Sequence, residues 1–252
     1  MAAALRFPEG DILKILAFES SAKAAGVAIL LDGTLLGETF LNSGLTHSRT
    51  LLQMAGDLMR TCELKPCDID AVAAAAGPGS FTGVRIGTAA AKGFAWGREI
   101  PCYGVSTLEA MVRGAAMCDG IYCACMDARR DQVYQAHFAV LDGKLHRLCP
   151  DRALALDELY EDLKNIEKPI FLVGDGASLC YNSLLDRLPE LRLLPEHLCQ
   201  QRASGVALAA QAAIDAGSVG DAAALVPNYL RLSQAERERN EKLKREVCNL
   251  QK

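Results

Sequence analysis

"AAAAGPGSFTGVRIGTAAAKGFAWG", residues 73–97, joins an apolar run to a glycine loop and then to a segment with helical spacing. Gly77 and Gly79 permit close backbone approach, Pro78 stiffens the turn, and Ser80 or Thr82 can cap the helix. Free amides at such a helix start attract anions. The spacing is neither the Walker loop nor G-x-G-x-x-G. Two readings stay open: a phosphate-binding loop built on Gly77, Gly79 and Ser80, or an inherited loop that no longer runs chemistry.

Behind the loop, Gly83, Gly87 and Ala91 recur every four residues, with Ala90 and Phe94 beside them. Each glycine inside a helix costs about 1 kcal/mol relative to alanine, and close approach of another backbone is the usual compensation. That backbone is either the chain's own sheet or Leu51–Leu58 helix, or a pair of helices from a partner.

Outward from this stretch, Ile12–Phe18, "AAGVAILL" and "TLLGETFL" read as three strands, the last two joined at Asp32-Gly33 by a hairpin turn. A helix over Thr46–Thr61, capped by Thr46 or Ser48, a strand into the glycine loop, a helix over Thr82–Trp96 and the strand "IPCYGVS" follow. This βββαβαβ order is that of an actin-like ATPase lobe. The expected fold is α/β: an actin-like (ASKHA, RNase H-like) architecture of two lobes, with a mixed five-stranded sheet flanked by helices and a reduced second lobe. The first lobe spans 1–105 and the second 106–202. Residues 203–252 supply a helix returning to the first lobe and a polar tail.

The second lobe is sparser in signals. Residues 120–148 read as a strand-hairpin unit with a turn at Asp142-Gly143, followed by the helix "LDELYEDLKNI", the strand and turn "PIFLVGDGA" and the alanine-rich helix "SGVALAAQAAIDAG". From Ser233 the chain is polar all round, with five basic and four acidic residues between Glu236 and Glu246, as in an exposed helix or frayed end.

Half of the 252 residues are hydrophobic, enough for a sizeable core, and the net charge of −4 argues against gripping nucleic acid through a broad basic surface. The ten cysteines include no C-x-x-C pair: Cys123 and Cys125 are two apart, Cys62 and Cys67 five apart. With no secretory leader pattern and no bilayer-length apolar stretch, the expectation is a cytoplasmic protein with reduced, mostly buried thiols and no membrane association.

Five segments, "ILAFESSAKAAGVAIL", "GPGSFTGVRIG", "YGVSTLEAM", "MDARRDQVY" and "PNYLRLSQAERE", occur in an order that resembles the TsaB (YeaZ) family, over about Leu13–Arg239. The resemblance implies the dimerisation subunit of the bacterial machinery for threonylcarbamoyladenosine in tRNA. Such a subunit is non-catalytic. It binds and supports a catalytic paralogue, TsaD, together with the ATPase TsaE, and meets tRNA through the complex. The complex places threonylcarbamoyl on the adenosine following the anticodon of tRNAs that read codons starting with A. No cofactor of the chain's own is implied; ATP or ADP and Mg belong to the complex.

TsaD-like proteins carry two metal-ligating histidines spaced H-x-x-x-H after the strand that follows the glycine-loop helix. Thr107 and Met111 stand at those places here, and neither makes a comparable ligand. No catalytic residue and no metal ligand is assigned. A weak nucleotide set, shared with a partner if used, is Glu19, Ser20, Gly77, Gly79, Ser80 and Gly176. Glu19 in "FESS" is placed to hold hydrated magnesium or to cap a turn, and Gly176 lies in a segment that echoes the fold's adenosine turn.

The expected docking face pairs the two first-lobe helices with their equivalents in TsaD, or in a second copy when TsaD is absent. It takes His47, Leu51, Met54 and Leu58 from one helix. From the other it takes Thr82, Gly83, Arg85, Ile86, Gly87, Ala90 and Phe94. On that expectation Gly87→Trp or Arg breaks association and spares the fold. Two other readings are a small ATP-dependent kinase, favoured by the glycine loop and Glu19, and a metallopeptidase, which needs metal ligands the sequence does not offer.

Overall fold

The computed structural model describes residues 12–231; the polar tail from Ser233 lies outside the described residues. Strands β1 (Lys14–Glu19), β2 (Ala25–Leu31) and β3 (Thr34–Leu41) form the meander. The hairpin signal at Asp32-Gly33 is realised with φ of 41° and 79°, the pair of positive values that a two-residue turn requires. Helix α1 (His47–Thr61), β4 (Ala71–Gly77), α2 (Phe81–Trp96) and β5 (Cys102–Ser106) complete the first sheet in the order β3-β2-β1-β4-β5. β4 runs parallel between β1 and β5 and is buried along its whole length, which explains its unbroken apolar sequence.

Alternation along β1 and β4 splits the core in two. Leu16, Phe18, Val72 and Ala74 face α1 and α2, while Ile15, Ala17, Ala73 and Ala75 face α6 (Ala203–Asp215). α1 turns Leu51, Met54 and Leu58 into the first of these layers.

After β5 the chain enters α3 (Thr107–Ala115) without a loop. β6 (Gly120–Asp127), β7 (Gln132–Leu141), β8 (Lys144–Arg147), β9 (Arg152–Ala155), α4 (Leu156–Leu163), β10 (Ile170–Val173), α5 (Ala177–Leu184) and β11 (Leu191–Leu193) then build a second sheet, ordered β11-β10-β6-β7-β8 with β9 on β7. Its plan repeats that of the first: an antiparallel three-strand meander, then two strands added in parallel on the other side of the first strand. This duplicated plan is the actin-like architecture, with the second copy completed by the short strands β8, β10 and β11. α3 and α6 pack against each other between the sheets: Leu108, Met111 and Val112 enter the second core and Ala110 the first. No helix among the described residues is long and apolar enough to cross a membrane.

Candidate functional site

β4 delivers the glycine loop to the start of α2, where the Ser80 hydroxyl accepts the Gly83 amide at 3.2 Å and caps the helix. The loop is closed onto the turn after β1. The Ser80 amide donates to Ser21 O at 2.6 Å, and a methyl group on Gly79 would overlap that same carbonyl. One turn into α2, the Ser20 hydroxyl donates to Gly83 O at 2.9 Å. A methyl group on Gly83 would overlap Ser20 O, and one on Gly87 would lie 2.5 Å from Ser20 Oγ.

The small-residue stripe of α2 is therefore filled by the chain's own β1 turn. This corrects the expected docking face: Gly83 and Gly87 are buried inside the chain, as are Leu51, Met54 and Leu58. Gly87→Trp would disrupt the fold rather than test an interface. Thr82 and Arg85 remain exposed, Ile86, Ala90 and Phe94 are half-buried, and Leu52 on α1 is 61% exposed. His47 is half-buried and its Nε2 lies 2.9 Å from Ala22 O, tying α1 to the same turn.

A cleft of about 640 Å³ opens between the sheets, lined by the Ser21–Lys23 turn, the glycine loop, the end of β6 and the segment Asn228–Arg231. Of the expected nucleotide set, only Gly79 and Ser80 reach it. Gly77 packs beneath Asn228, Gly176 packs against the backbone of Met126 and Asp127, and Glu19 and Ser20 are enclosed. Burial pushes the Glu19 carboxyl up to about 7, even though the Ser21 amide donates to its Oε1 at 2.6 Å. Its Oε2 has no hydrogen-bond partner among the described residues. Asp175, on the cleft wall, is raised too, by burial first, while the Gln201 amide at 2.8 Å pulls the other way.

Thr107 and Met111 are buried in the packing of α3, and the Thr107 hydroxyl has no partner among the described residues. Among the described residues, no group of three or more His, Cys, Asp or Glu side chains is placed to hold a metal ion. The nine cysteines within the described region are all free thiols.

Two clusters escaped the sequence reading. Tyr229 stacks on Phe81 with ring centres 4.5 Å apart, and Arg85 donates to its hydroxyl at 2.7 Å. Under α4, Gln135, His137, Arg152 and Asp162 form a polar network beside the Cys123 and Cys125 thiols, which are 3.5 Å apart. The first had a signal in the aromatic of "PNYLRL". The second joins residues of β6, β7, β9 and α4 that only the strand register brings together.

A sequence model described as TsaD: tRNA N6-adenosine threonylcarbamoyltransferase matches residues 42–242. The tRNA threonylcarbamoyladenosine biosynthesis protein TsaB of Bacillus subtilis is 32% identical over 227 residues, covering 89% of this chain and 96% of that one. The protein of the same name in Escherichia coli is 41% identical over 167 residues, 65% of this chain and 72% of that one. The solved structure of YeaZ from Pseudomonas aeruginosa superposes with a TM-score of 0.70 at 25% identity, covering 86% of this chain and all of that one. With near-full-length coverage by the Bacillus relative and the same fold in YeaZ, the chain belongs to the TsaB (YeaZ) family, inside the wider group that the TsaD model describes.

Proposed function

We propose that this chain serves tRNA threonylcarbamoyladenosine biosynthesis as a non-catalytic subunit. It binds and supports the catalytic paralogue TsaD, works with the ATPase TsaE and meets tRNA through that complex. The observation that carries the reading is the glycine loop closed onto the β1 turn, where the Ser80 amide is spent on Ser21 O and is no longer free for a phosphate. The buried Thr107 and Met111 support it further, because a hydroxyl and a thioether are poor substitutes for paired imidazoles. The chain has no cofactor of its own in this reading. Docking uses the outer surface of α1 and α2 around Leu52, Arg85, Ile86, Ala90 and Phe94, and the same surface pairs two copies when TsaD is absent. The open cleft between the sheets is what favours the second reading, a small ATP-dependent kinase. Copurification with TsaD, coupled to a tRNA modification assay with and without this chain, tests the first reading; turnover of ATP on a small acceptor by the chain alone would favour the second.

A further inference from the structure

The two sheets are joined covalently at Ser106–Thr107 and again at Arg202–Ala203, where α3 and α6 begin. These helices cross with their backbones nearly touching: a methyl group on Gly205 would overlap Ala110 O, and one on Gly114 would lie 3.6 Å from the Gly205 Cα.

A third, non-covalent connection runs along Leu225–Arg231. Leu225 is buried in the first core, and its carbonyl accepts from Lys92 Nζ at 3.1 Å. Asn228 donates its amide to Ala76 O at 2.6 Å. Tyr229 is held on α2 by the Phe81 stack and by Arg85, whose guanidinium also lies 3.8 Å over the Phe81 ring. The segment then crosses the cleft, and Arg231 Nη1 donates to Ala128 O at 2.6 Å, in the turn between β6 and β7. That turn holds Arg129, Arg130 and Asp131 at φ of 63°, 59° and 55°, a left-handed run that non-glycine residues seldom adopt. Apart from Leu225, the segment is attached by a few discrete contacts: Val226 is 65% exposed and Tyr229 39%. Such a segment can release without unfolding what lies beneath it.

We propose that residues 225–231 are a latch. Anchored on α2 by Leu225 and Tyr229, they grip the β6–β7 turn through Arg231 and set how far the cleft between the two sheets opens. The anchor and the grip act as one unit, so loosening Tyr229 frees a turn of the other sheet that the Tyr229 ring is not needed to pack.

Hydrogen exchange by mass spectrometry on the full chain tests this with Tyr229→Ala, Arg231→Ala and the double variant, folding being checked by circular dichroism. Each single variant is expected to speed exchange of the 128–132 amides by about tenfold, the loss of one or two hydrogen bonds' worth of protection. The double variant should add little, because the two residues hold one device. Amides of β1, β4, β6 and β10 should stay as in the parent. If Tyr229→Ala fails to fold, Tyr229→Phe, which keeps the ring and loses only the hydrogen bond from Arg85, is expected to give a smaller rise in the same turn. Exchange at 128–132 that is unchanged by the Tyr229 variants, or single effects that simply multiply in the double variant, would overturn the latch.

Discussion

The backbone amide of Ser80 donates a 2.6 Å hydrogen bond to the carbonyl oxygen of Ser21, so the turn after β1 occupies one of the loop donors at the start of α2 that a phosphate could use. Opening that site means breaking this bond and separating Gly83 from Ser20 as well. Isothermal titration of the isolated chain with Mg-ATP is expected to show binding no tighter than about 1 mM. Micromolar binding would show that the loop opens at little cost.

The glycines of α2 should rank by what their neighbours can yield. Gly83→Ala presses a methyl group onto the Ser20 carbonyl, which is backbone, and is expected to destabilise by about 2–3 kcal/mol in urea unfolding. Gly87→Ala meets only the Ser20 hydroxyl and should cost less. Gly93, exposed with nothing within 4 Å, is the control: Gly93→Ala should stabilise by about 0.5–1 kcal/mol through helix propensity.

Glu19 ties stability to pH. Burial raises its carboxyl from 4.5 to about 7, so the folded chain keeps a proton that the unfolded chain releases above pH 4.5. Its contribution is fully present below pH 4.5, is lost as pH rises to about 7, and is flat beyond that. Across that interval the linkage amounts to about 3 kcal/mol. Glu19→Gln keeps an oxygen for the Ser21 amide without the charge. It should remove this slope and raise stability at pH 8 by about 1–3 kcal/mol, read from urea midpoints at several pH values.

The Thr107 hydroxyl, at the first position of α3, is buried without a partner among the described residues. Thr107→Val keeps the shape and removes the orphaned oxygen, so thermal unfolding should show a gain of about 1 kcal/mol. A loss would mean that the hydroxyl is engaged in a way its surroundings do not reveal.

Docking through α1 and α2 predicts that Leu52→Arg weakens copurification with TsaD while leaving the melting temperature unchanged, since Leu52 is 61% exposed. Leu51→Arg, one residue away and fully enclosed, should instead abolish folding. The contrast separates loss of an interface from loss of the chain itself.

The first sheet was legible because its signals are local: a D-G hairpin turn, an unbroken apolar β4, a capped helix after a glycine loop. The second sheet was read only in part, because β9 and β11 are four and three residues long and α5 has eight, too short for a period to show. The spacing of Gly83 and Gly87 announced a close contact but carried no information about its other side. That side is Ser20, sixty-three residues upstream of Gly83, and only the parallel pairing of β1 with β4 brings it there. The buried members of the expected docking face were chosen for the same reason. Periodicity found the apolar side of α1, and that side faces the chain's own sheet, leaving Leu52 and its neighbours outward.

The most direct measurement is reconstituted tRNA modification: threonylcarbamoyl transfer assayed with TsaD, TsaE and the threonylcarbamoyl-AMP adduct, with this chain present, absent, or alone. The account predicts transfer with all components, loss of it when the chain is left out, and none from the chain by itself. Transfer to tRNA by the purified chain alone would contradict it.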